Sequence, residues 1–105
     1  MTFEEYQELA MRTANLDKAG MSNVALGLCG EAGEVADIVK KWMFQGHPLD
    51  YAKLREELGD VMWYLALACE LMDVGLVDIA AMNITKLKAR YPNGFSAEAS
   101  VNRQV

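Results

Sequence analysis

The chain has 105 residues, 52% of them hydrophobic, and a net charge of −5 with no run of basic residues. That is too apolar for disorder, too short for more than one domain, and too acidic for a long nucleic-acid groove. Nucleotides stay open as ligands, because metal ions can carry the phosphate contact. A chain this short buries a modest share of its surface, so the apolar excess points to helix–helix association between subunits.

The opening residues Met1 to Glu5 lack the basic and apolar regions of a secretory signal, so a cytoplasmic protein is expected. Thr2 and Glu5 form a capping-box pattern for a first helix to about Ala14, with Phe3, Tyr6, Leu9 and Ala10 as its apolar stripe. A polar connection closes on Gly20. Ser22 is a suitable N-cap for a second helix running to about Met43. Gly27, Gly30 and Gly33 recur within it, each costing roughly 1 kcal/mol against alanine in a helix. They predict either close approach by a neighbour or a helix broken near Gly27 to Gly30.

Gly46-His47-Pro48 interrupts the pattern, and Asp50 caps a third helix to about Asp73, stopped by Gly75. Leu54, Leu58, Val61, Leu65, Ala68 and Met72 give that helix its apolar repeat. Its most apolar part, Val61 to Leu71, contains Glu70 and is too short to span a bilayer. A fourth helix is expected over about Leu76 to Arg90, followed by a turn at Pro92-Asn93-Gly94 and a polar tail from about residue 95. Cys29 and Cys69 both fall in helical patterns and read as reduced packing residues. Short connections between amphipathic helices favour an antiparallel four-helix bundle.

Two acidic steps stand out. Glu31-Ala32-Gly33-Glu34 lies on the second helix and Glu57-Leu58-Gly59-Asp60 on the third. Carboxylates three apart share a helix face. At about 100° per residue both steps fall at the edge of apolar faces, where ordinary solvated acids would not lie. Glu57, Asp60 and Tyr64 occupy one narrow sector. Such a cluster repels itself unless a cation sits in it, and carboxylates without histidine or thiolate suit Mg²⁺, with Mn²⁺ as a substitute. A di-iron bundle would need Glu-x-x-His steps, and the single histidine, His47, lies in a loop.

These residues resemble the MazG-type all-α nucleotide pyrophosphohydrolases. The pieces that carry the resemblance run from Gly30 to Asp37, from Glu56 to Leu65, from Asn83 to Leu87, and from Arg90 to Phe95. The likeness spans nearly the whole chain, as one short single-domain member over residues 1–105. It implies Mg²⁺-dependent hydrolysis of nucleoside triphosphates, often deoxy or non-standard ones, to a monophosphate and pyrophosphate. It also implies Glu31, Glu34, Glu57 and Asp60 as metal ligands, with Tyr64 lining the same site. Asn83 and Lys86 match residues that contact phosphate or sugar. Homodimers or homotetramers follow, with helices from two subunits framing the site.

Either Glu34 or Glu57 would orient or deprotonate the attacking water. Lys41 is a phosphate ligand or a helix C-terminal cation. Trp42 stacks on a base or packs in a core. Lys86 and Arg90 share a face and grip phosphate together, or form an ordinary basic edge. Trp63 is expected to point away from Asp60 and Tyr64. The alternatives to this activity are a pyrophosphohydrolase acting on a phosphoribosyl nucleotide and a non-catalytic helical interaction module.

Overall fold

A computed structural model describes residues 1–103. Among them are five helices and no strand: α1 (Phe3–Met11), α2 (Met21–Phe44), α3 (Tyr51–Leu71), α4 (Leu76–Arg90) and α5 (Ala97–Val101). No helix among the described residues is long and apolar enough to cross a membrane.

The capping box is present, with the Glu5 N–H donating to Thr2 Oγ1 and the Thr2 N–H to Glu5 Oε1, each at 3.1 Å. The first helix ends at Met11, short of Ala14, because the chain tightens there. The Thr13 and Ala14 amides reach back three residues, to the carbonyls of Ala10 and Met11. Gly20, and not Ser22, is the N-cap of α2, and Ser22 lies inside the first turn. Through Gly27, Gly30 and Gly33 the helix is unbroken. It closes on Gly46 at φ 73°, after which the His47 N–H returns to the Lys41 carbonyl.

Asp50 caps α3 as expected, accepting from the Lys53 N–H at 3.0 Å. The stop is not Gly75. Asp73 takes the left-handed conformation at φ 56°, and Gly75 instead serves as N-cap of α4, its N–H donating to Asp78 Oδ2. The polar tail contains α5, capped by Ser96 Oγ.

Helices α2 and α3 pair along their length in opposite directions: Gly27 meets Tyr64, while Glu31 meets Glu57 and Asp60. The first helix lies on α3, and α4 docks on α1 and part of α3. Gln7 ties that junction together. Its Oε1 accepts from the Leu76 N–H at 2.8 Å, and its Nε2 donates to the Val74 carbonyl and to Glu70 Oε2, each at 3.1 Å.

The core is small, built on Ala10, Val24, Ala66, Leu67, Cys69 and Leu76. The apolar repeat of α3 is not fully covered within one chain, since Leu58, Leu65 and Met72 are exposed. The radius of gyration is 16.9 Å, against about 13 Å for a compact chain of this length. Of the two free cysteines, Cys69 is buried, but Cys29 is exposed and not a packing residue.

Candidate active site

Helix periodicity sets Glu31 on the face of α2 that meets α3, and Glu57 with Asp60 on the opposing face. Carboxylate oxygens of all three lie within 4.8 Å of one another. Glu57 is buried at 6% exposure, Glu31 is half-buried and Asp60 is exposed. Beside them opens a cleft of about 360 Å³ lined by Thr13, Glu31, Asp60, Trp63 and Tyr64. A larger hollow of about 570 Å³ lies between α1 and the start of α4, walled in part by Glu4, Glu8, Glu70 and Asp78. Its acids do not converge, and among the described residues Glu31, Glu57 and Asp60 are the one such trio.

The trio is electrostatically crowded. A hydrogen bond with the Glu57 carboxyl is the main cause holding the Glu31 acid above its ordinary value. Burial and the charges of Asp60, Glu57 and Glu34 add to it. Lys53, one turn before Glu57, brings its ammonium to 3.4 Å from Glu56 and 3.5 Å from Glu57, and these partners raise its own pKa, Glu56 first. Tyr6 of α1 is raised by burial and then by the charge of Asp60. Three convergent carboxylates, one of them buried, suit a hard divalent cation with oxygen ligands.

The crowding carries a pH signature. A folded-state pKa above the unfolded value means that Glu31 keeps its proton where the unfolded chain has lost it. Stability from this group is therefore full below the usual 4.5 and falls as pH rises toward the raised value. We expect the metal-free melting temperature to drop across that window by a larger margin than in Glu31→Gln. Millimolar Mg²⁺ should restore it at pH 8 and do little near pH 4.5. Thermal melts at the two pH values check this, and equal Mg²⁺ responses would refute it.

The other expected residues are placed as follows. Glu34 is exposed on α2, one turn beyond Glu31 and outside the trio. Tyr64 lines the cleft, its ring seated on Gly27, where any Cβ would overlap it. Lys41 is held by Asp37 at 3.0 Å, and Asp37 is lowered by its hydrogen bonds to Lys40 and Lys41. Trp42 is 47% exposed. Asn83 and Lys86 are exposed on α4, and Arg90 is half-buried at its end.

One expectation is corrected. Trp63 does not point away from Asp60 and Tyr64; it lines the same cleft, and its ring meets that of Tyr64 edge-on at 5.0 Å. The indole is wide enough to reach from the flank of α3 to the end of α1, which a bare angular offset does not register. Thr13 and Lys53 were not foreseen as neighbours of the site. Their signals were present: Thr13 continues the Tyr6, Ala10 spacing of α1, and Lys53 precedes Glu57 by four.

The sequence pattern of the MazG nucleotide pyrophosphohydrolase domain matches residues 19–95. The chain belongs to the MazG nucleotide pyrophosphohydrolase family. The Gene 37 protein of Mycobacterium phage L5 is 39% identical over 88 residues, which cover 80% of this chain and 77% of that protein. No solved structure matches the chain. The MazG segment contains the carboxylate trio, Glu34, Tyr64 and all of α4. Helix α1 and Thr13 precede it, so part of the cleft wall lies outside the matched segment.

Proposed function

We propose that this MazG-family chain hydrolyses nucleoside triphosphates, deoxy or non-standard ones in particular, to a nucleoside monophosphate and pyrophosphate. The observation that carries the reading is the convergence of Glu31, Glu57 and Asp60 from facing helices, beside a cleft with aromatic walls. Glu31, Glu57 and Asp60 would hold Mg²⁺, or Mn²⁺ in its place, with Glu34 at the rim. The ion would neutralise phosphate charge and lower the pKa of a bound water.

The chain's own groups do the rest. Glu57 is already engaged by Glu31 and Lys53. Glu34, exposed and outside the trio, is the better placed to orient the attacking water and take its proton. The water oxygen bonds to phosphorus as the anhydride oxygen between the α and β phosphates leaves. Tyr64 borders the phosphates. Asn83, Lys86 and Arg90 on α4 contact phosphate or sugar, Lys41 exchanges Asp37 for phosphate, and Trp42 stacks on the base. A cytoplasmic location goes with that substrate.

The reading includes a homo-oligomer, dimer or tetramer, working as a single domain over residues 1–105. The exposed surface is 7844 Å², where a monomer of this size shows about 5,800 Å². An excess of about 2,000 Å² per chain is in the range of obligate interfaces. Leu58, Leu65 and Met72 would meet a second copy, completing an antiparallel four-helix arrangement. Because α4 docks on α1 and part of α3, its Asn83 and Lys86 are read as serving the cleft of that second copy.

The test is pyrophosphate release from a panel of deoxy, ribo and non-standard nucleoside triphosphates, together with phosphoribosyl-ATP, with and without Mg²⁺. Mg²⁺-dependent pyrophosphate from at least one nucleoside triphosphate is expected. Turnover of phosphoribosyl-ATP alone would move the activity to the alternative enzyme, and silence across the panel would leave a binding module.

A further inference from the structure

The end of α1 is stitched to the cleft wall. Besides the Thr13 N–H, the Ala10 carbonyl accepts from the Thr13 hydroxyl at 2.9 Å and from Trp63 Nε1 at 3.1 Å. The same indole N–H also donates to Thr13 Oγ1 at 2.9 Å, so this hydroxyl is at once donor and acceptor. Trp63 is thereby fixed in orientation, and its ring props that of Tyr64 edge-on, 5.0 Å between centroids and 84° between planes. On the other side the Tyr64 ring rests on the bare backbone of Gly27. Tyr64 is thus clamped between α2 and an indole that α1 holds. Thr13, Trp63 and Tyr64 line one cleft with Glu31 and Asp60.

We propose that Thr13 and Trp63 are positioning residues for Tyr64, making α1 a working part of the nucleotide cleft although it precedes the segment matched by the family. The proposal rests on the pyrophosphohydrolase reading only for its ligand. Edge-on packing is a preferred arrangement of two aromatic rings, so a ring whose partner is held in place is itself held more tightly. Here the fixing group is the Thr13 hydroxyl, on the turn that closes α1. Valine has the shape of threonine but neither gives nor takes that hydrogen bond, whereas serine does both.

The experiment compares the unaltered chain with Thr13→Val, Thr13→Ser and Trp63→Phe. Binding of an α,β-imido deoxynucleoside triphosphate with Mg²⁺ is measured by calorimetry, and the coupled aromatic signal by near-ultraviolet circular dichroism. Neither readout requires turnover. Thr13→Val should weaken binding about fivefold, the scale of one neutral hydrogen bond, and shrink the aromatic signal while the far-ultraviolet helix signal is kept. Thr13→Ser should restore both. Where the analogue is bound but substrates are not cleaved, the activity falls and the positioning role is still decided by binding.

The proposal is overturned if Thr13→Val leaves both readouts unchanged or shrinks the aromatic signal at unaltered affinity, or if Thr13→Ser fails to restore them. An unaltered chain that neither binds nor cleaves overturns the proposal and the activity together. Should Thr13→Val lose its fold, Trp63→Phe decides by affinity: a loss of similar size supports the role, and none refutes it.

Discussion

Glu57→Gln is expected to remove Mg²⁺-dependent pyrophosphate release by at least about a hundredfold, beyond the loss typical of a group that only supports a metal ligand. The amide keeps the shape of the carboxylate and its capacity to hydrogen-bond. It also removes one of three charges crowded within 4.8 Å, and the buried one at that. Partial burial of like charges is costly, so the metal-free variant should melt at the same temperature as the unaltered chain or higher. Lys53 gives up an ion pair, but at 51% side-chain exposure this matters little. Pyrophosphate assays and thermal melts with and without Mg²⁺ check this. Retained activity, or a variant that melts lower without metal, would assign Glu57 a structural role instead.

Gly27→Ala should act at the same site from the opposite helix. Alanine favours a helix over glycine by about 1 kcal/mol, yet its methyl at this position would overlap the Tyr64 ring. Overpacking of that kind typically costs about 1–3 kcal/mol, so the net effect is destabilisation together with a displaced Tyr64 and a raised KM. Gly30→Ala is the control. Beyond the backbone of its own helix and its chain neighbours, nothing lies within 4 Å of the added methyl there, and the metal-free chain should gain about 1 kcal/mol. Tyr64→Leu combined with Gly27→Ala should recover stability, because the obstructing ring is gone. Denaturant melts of the unaltered chain, Gly27→Ala, Tyr64→Leu and the double variant measure the coupling, and a strictly additive double variant would show that the glycine and the ring do not meet.

Gly27 also shows what a sequence can and cannot disclose. Three glycines at equal spacing foretold a close approach or a break. The helix is unbroken, with a ring over Gly27, while Gly30 and Gly33 face open space within one chain. Local signals such as the Thr2 and Glu5 box, the Asp50 cap and the α4 span were legible because their partners sit a few residues away. The convergence of Glu31 with Glu57 and Asp60 was legible because both steps keep to one helical face and a short connection brings the helices together. Glu34 kept to that face in projection, but it lies outside the trio.

Other features depended on distant partners and were out of reach. Trp63 turns toward α1 and donates to the Ala10 carbonyl and the Thr13 hydroxyl, partners that no periodicity reveals. Asp73 ends α3 because its backbone takes a conformation that glycine would more commonly supply. The α3 repeat at Leu58, Leu65 and Met72 is apolar at helical spacing, yet the single chain leaves it exposed.

The clasp made by Gln7 has a consequence for how the molecule is assembled. Its partners, Glu70, Val74 and Leu76, lie 63 to 69 positions along the chain. During synthesis α1 therefore waits for most of the polypeptide before it can dock. The α2–α3 hairpin draws on nearer neighbours and so meets a smaller loop-closure cost. The acidic centre is thus expected to take shape early, while the aromatic wall and the arm bearing Asn83 and Lys86 come into place only once α1 has met the junction of α3 and α4.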